Sequence, residues 1–160
     1  MSSINDQLRE LYDHCSLQDF FLDASVLILK EDGQVISELG KKIDQNILHQ
    51  SGVLMTGAWQ ASLAMKVCDK QDSDQILSLG STQSGFYVLP FTYDQSLVMG
   101  IIYKDHVNPG KLKMKAKTLR DFLSENLTKT ESLENKTNDN YLFKNITDAE
   151  LDKLFSFAGI

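Results

Sequence analysis

The residues able to do chemistry are few, and their spacing suits none of the reactions they could serve. His14 adjoins Cys15, and an imidazole beside a thiol is the pairing that generates a thiolate nucleophile. Adjacent residues on a helix project about 100° apart, however, and no third group stands ready to orient the ring. His14, His49 and His106 are isolated and share no metal-ligand spacing. Asp69, Asp72 and Asp74 suggest calcium, but the segment lacks the loop glycine and terminal glutamate of an EF-hand. It reads as a polar loop. No GxxxxGK[ST] phosphate loop occurs, so the chain is not itself a GTPase of that type. The expectation is a non-catalytic protein with no metal and no cofactor.

Charge narrows the partners. The chain carries a net −6 with pI ≈ 5.0, which disfavours generic binding to nucleic acid, a process that relies on Lys and Arg displacing counterions. Lys111, Lys113, Lys115, Lys117 and Arg120 form a basic cluster against this background. On a helix they spread over the solvent side and read as a solvated face, with an acidic partner or an anionic membrane surface as the alternative. Cys15 and Cys68 form no CxxC and fit reduced, packed thiols. The opening MSSINDQLRELYDHC has acids and amides where a signal peptide has a basic start and an apolar run, so a cytoplasmic location is expected.

The elements that must position these residues follow from periodicity. Ile4, Leu8 and Leu11 mark a first amphipathic helix. Alternation through Leu22–Leu29 with Asp32-Gly33 as the reversal marks a β-hairpin, and because both alternating sets are partly apolar the sheet should be covered on both faces. A long apolar helix follows, with Asp44 or Asn46 as its cap. Three β-like runs, Gln75–Leu79, Phe86–Phe91 and Ser96–Tyr103, form a meander. Asn108-Pro109-Gly110 then opens a helix whose apolar stripe is Leu112, Ala116, Leu119, Leu123 and Leu127. The order α-β-β-α-β-β-β-α implies an α/β (α+β) sandwich with a mostly antiparallel sheet. Residues 1–127 form the domain and 128–146 a flexible polar linker. Residues 147–160 form a short amphipathic C-terminal helix, started by a Thr147/Glu150 capping box, with Leu151, Leu154 and Phe155 as its docking face.

The middle helix poses the sharpest question, because SGVLMTGAWQASLAMKVC has almost no polar side. It only just reaches the length of a membrane span and contains Ser, Thr, Gln and two Gly, so no transmembrane segment is expected. On a helical wheel Val53, Gly57, Ala61, Ala64 and Cys68 form a stripe of small residues, flanked by Leu54 and Met65, while Met55, Trp59 and Leu63 fall opposite. The small stripe is expected against the sheet. Met55, Trp59 and Leu63 are then the expected dimer or partner interface, the alternative being a terminal segment folded back over them.

The run DASVLILKEDGQVIS, the small-residue-rich helix Leu48–Cys68 and LVMGIIYKDHVNPGKLKMKAKTLRDFL resemble the Roadblock (dynein light chain) family of the longin-like superfamily over residues 4–127. The length and the tail DAELDKLFSFAGI are more similar to the bacterial polarity-regulator branch than to the short eukaryotic light chains. The resemblance implies a five-stranded antiparallel sheet with the middle helix on one face and the terminal helices on the other. It also implies a homodimer, and a platform that binds or regulates a small Ras-like GTPase. The function expected is a homodimeric adaptor that modulates a GTPase's nucleotide cycle by holding its switch loops. The alternatives are a purely structural dimerisation module and a small-ligand sensor.

Overall fold

Ser3 starts the first helix by satisfying a backbone donor that has no partner within the helix. The Asp6 N–H donates to Ser3 Oγ at 3.2 Å and the Ser3 N–H donates to Asp6 Oδ2 at 3.4 Å, a reciprocal capping box. The computed structural model describes residues 3–81, 84–104 and 108–142. Helix α1 runs Ile4–Asp13 and buries Leu8 and Tyr12. A 3₁₀ turn at Gln18–Phe21, absent from the sequence expectation, buries Phe21 before the sheet begins.

Strands β1 (Ser25–Lys30) and β2 (Val35–Gly40) are the expected hairpin. Its reversal uses Asp32, whose Oδ1 accepts the Gln34 N–H at 3.0 Å, and Gly33 at φ 94°, a left-handed conformation that a Cβ would strain. Helix α2 (Gln45–Ala64) then crosses one face of the sheet to its far edge. There β3 (Leu77–Gly80), β4 (Ser84–Pro90) and β5 (Leu97–Lys104) form the meander. The spatial order is β2-β1-β5-β4-β3, with every adjacent pair antiparallel.

Strand β1 is buried on both faces, as its doubly apolar alternation requires. Val26 and Ile28 join Tyr87, Leu89, Met99 and Ile101 in a core under α1 and helix α3 (Pro109–Leu142). Leu27 and Leu29 join Val88 and Val98 in a second core under α2. The expected stripe of α3, Leu112 to Leu127, is buried throughout. Asn108 caps this helix, its Oδ1 accepting the N–H groups of Gly110 at 3.0 Å and Lys111 at 3.2 Å.

Helix α3 departs from expectation at its far end. Residues 128–142 were expected to be linker, yet the backbone stays helical to Leu142. No Gly or Pro interrupts the chain between Gly110 and Leu142, and Lys, Glu and Leu favour the helix. A missing apolar period after Leu127 therefore does not mark the end of the helix. The remainder of the expected linker and the C-terminal segment, with Leu151, Leu154 and Phe155, lie outside the described residues.

Candidate interaction site

The middle helix sits on the sheet in the orientation opposite to the one the wheel suggested. Met55 and Trp59 are each 1% exposed and pack against Leu27, Leu29, Val88 and Val98, with Leu63 half-buried beside them. These three residues belong to the core of their own chain, so the expectation that they form a dimer or partner surface is corrected. The cause lies in the sheet. Gly100 of β5 leaves a notch that Met55 Sδ fills, and a Cβ at Gly100 would collide with it. Gly52 does the same for the helix, since a Cβ there would stand 2.6 Å from the Gly33 carbonyl oxygen. Close approach of the backbones thus depends on Gly52 and Gly33, with Gly100 giving the Met55 side chain its place, rather than on the small-residue stripe.

The polar groups on the buried side are short hydroxyls that bond back to the helix. Thr56 Oγ1 donates to the Gly52 carbonyl at 2.8 Å and Ser62 Oγ to the Trp59 carbonyl at 2.7 Å. A glutamine amide carries two donors and an acceptor, more than one such back-bond satisfies, and Gln50 and Gln60 are exposed on the outer side. That contrast between hydroxyls and amides was the sequence signal for the helix's orientation, and apolar periodicity alone missed it.

The outer side of α2 therefore presents the small residues. Gly57, Ala61 and Ala64 are exposed, and a Cβ built at Gly57 meets nothing within 4 Å among the described residues. Around them Val53 is 50%, Leu54 59% and Met65 73% exposed. Neighbouring exposed apolar residues of this kind are what interaction surfaces are built from. It continues toward the β3 edge through a cleft of ≈ 290 Å³ between Leu54 and Met55 on the helix and Gly80, Gly85 and Phe86 on the sheet. Among the described residues strand β3 pairs only with β4, leaving the outer backbone groups of the sheet edge open, and it carries Leu79 at 40% exposure.

The groups that invited chemistry are occupied structurally. Cys15 is buried and its Sγ accepts the Leu17 N–H at 3.4 Å, while the neighbouring His14 is exposed at the end of α1. Asp69 Oδ1 accepts the Gln71 N–H at 2.9 Å and Asp72 Oδ1 the Asp74 N–H at 3.0 Å, so these carboxylates shape turns. Among the described residues no cluster of His, Cys, Asp and Glu could hold a metal ion. Burial, chiefly, pushes the Tyr12 phenol up to about 12, with Cys15, Asp13 and Asp19 adding to it. Burial and a hydrogen bond with Tyr103 do the same for Tyr87, also up to about 12.

Arg120 is a second correction, because it does not belong to the basic surface. It is 2% exposed, with Nη1 donating to the carbonyls of Ser73 and Pro90 and Nε to Asp121 Oδ1 at 3.1 Å. It ties α3 to the loop that leads into β3. No described helix is long and apolar enough to cross a membrane.

No family model matches the sequence, and no curated protein matches it. Solved structures do match. MglB of Myxococcus xanthus is 20% identical with a TM-score of 0.56, covering 78% of this chain and 94% of that one. The gliding protein MglB of Thermus thermophilus is 15% identical with a TM-score of 0.61, covering 78% and 91%. A Roadblock/LC7 domain from Streptomyces avermitilis is 15% identical with a TM-score of 0.54, covering 79% and 99%. With its five antiparallel strands between α2 and the α1–α3 pair, the chain has the Roadblock fold, in the form seen in MglB.

Proposed function

We propose that the chain is a cytoplasmic homodimeric adaptor that binds a small Ras-like GTPase and modulates its nucleotide cycle without catalytic residues of its own. The observation that carries this reading is the outer face of α2. Gly57, Ala61 and Ala64 would let two helix backbones approach closely, with Leu54 and Met65 interdigitating at the flanks. The open edge of β3 lies beside that face and offers a second copy its backbone hydrogen bonds. The family resemblance read from the sequence implies the same arrangement and a Ras-like GTPase as the partner, and the shared Roadblock fold is consistent with it. The joined surface would act by holding the GTPase's switch loops in one of their existing arrangements.

The test has two stages. Light scattering on the wild type should give twice the chain mass, and Ala61→Arg should return a folded monomer. The wild type mixed with a Ras-like GTPase loaded with GDP or a GTP analogue should then bind one form preferentially. Equal binding to both forms would favour a structural dimerisation module, and a monomeric wild type would overturn the interface.

A further inference from the structure

The first three turns of α3 carry a second surface, of opposite character, that the proposed dimer leaves free. Lys111, Lys113, Lys115 and Lys117 occupy positions three before, one before, one after and three after Met114. Leu112, Ala116 and Leu119 point into the core, so Met114 stands at the apex of the outward side with lysines on both shoulders. Met114 is 64% exposed. Among the described residues none of the four lysines makes an ion pair with a carboxylate, although Lys113 holds its ammonium 5.4 Å from the Tyr87 ring centroid. Residues 108–120 contain no acid, in a chain whose net charge is −6.

Folding does not ask for this arrangement. The N-terminal end of a helix carries partial positive charge and favours acids, yet the first turn of α3 has none and lysines follow at once. The Tyr87 ring compensates Lys113 alone, and where a sequence breaks a local preference at positions with no such contact, a functional demand is the expected reason.

We propose that this face docks the protein on an anionic lipid membrane. Lysines are compact point charges on long stems, suited to a diffuse plane of headgroups. Forked recognition of a single carboxylate is the task of arginine, and the arginine of this segment, Arg120, is turned inward. The convex flank of a helix with one apolar residue at its apex and lysines beside it matches a helix resting in the interfacial layer, Met114 dipping toward the acyl chains and the ammonium groups staying at the headgroups. An acidic protein would instead call for a groove or a broader apolar anchor. Helices α3 and α2 lie on opposite faces of the sheet, so the surface does not depend on the dimer or on a GTPase.

The experiment is co-sedimentation of the full chain with vesicles of neutral phosphatidylcholine, alone or mixed with phosphatidylglycerol. The wild type should bind only the anionic vesicles. It should be released as salt rises from about 0.1 M to about 1 M, where the screening length falls from about 10 Å to about 3 Å. Each lysine is expected to contribute roughly a fivefold factor, so Lys111→Glu/Lys115→Glu should lose at least about tenfold in partitioning with an unchanged melting temperature. Met114→Ser should lose severalfold. Failure of the wild type to prefer anionic vesicles would overturn the proposal in favour of an acidic protein partner, and undiminished binding by the folded lysine variant would overturn it by placing the membrane contact elsewhere on the chain.

Discussion

Helices α2 and α3 do the same job on opposite faces of one sheet and end with opposite outer surfaces. Each buries a stripe against the strands: Met55 and Trp59 from α2, Leu112 to Leu127 from α3. Outward, α2 shows Val53, Leu54, Gly57, Ala61 and Met65, whereas α3 shows lysines around Met114. The inner sides are interchangeable in physical kind, because burial against a sheet asks only for apolar volume of the right shape. The outer sides are free of that demand, so their chemistry records what meets them. An uncharged face of small residues suits another protein's helix at close range, and a charged face suits water or a charged surface.

The comparison breaks most severely inside α2. Trp59→Ala should lower stability by about 3–5 kcal/mol, the loss expected for emptying a closed aromatic site, as measured by urea unfolding. The same residue also separates the two readings of the helix without a mutation. As the single tryptophan, Trp59 should give blue-shifted emission that does not move on dilution through dissociation of the proposed dimer. A red shift on dilution would place it at the seam after all.

Arg120 comes next, since it links α3 to the approach of β3. Arg120→Leu leaves the Ser73 and Pro90 carbonyls without their donor and should lose about 1–3 kcal/mol. Because the loop it holds leads into the β3 edge, dimerisation should weaken as well. On the outer side of α2, Leu54→Asp should abolish the proposed dimer by light scattering while moving the unfolding midpoint of the monomer little, since Leu54 is already 59% exposed.

Alkaline pH probes the α1–α3 side. Folding raises the Tyr12 and Tyr87 phenols from 10.0 to about 12, so the fold favours their neutral forms. Their contribution is complete below pH 10, and stability should fall as pH rises from 10 through 12. Thermal melts across that range check the sign, and Tyr12→Phe should flatten the decline. The smallest effect is expected at Met114→Ser, within about 0.5 kcal/mol of wild type in stability, which would confirm that this apolar residue contributes little to the fold that displays it.

Much of the fold was legible because it is written in local periods. Leu8, the doubly apolar β1, Asp32-Gly33 and the α3 stripe each state their own place within a few residues, whereas Tyr12, buried beside Leu8, lay outside the period read for α1. Helix α2 was legible as a helix but not as an oriented one. With apolar residues on every side, the wheel divides them by size alone, and size does not say which half meets the sheet. Arg120 was misplaced for a related reason: a charge reads as surface until carbonyls from Ser73 and Pro90, far away in the chain, are brought to it.

The sequence by itself determined the element order, the doubly covered sheet, the α3 stripe and the absence of any phosphate loop. Those follow from the spacing of neighbours along one chain, which folding cannot alter. Only the tertiary structure decided which side of α2 is buried. That choice depends on whether the opposing strand offers space at one position, and Gly100, well beyond α2 in the chain, provides it for Met55. A helix rotates to fit the notch it finds, and the face left outside becomes the surface available for function.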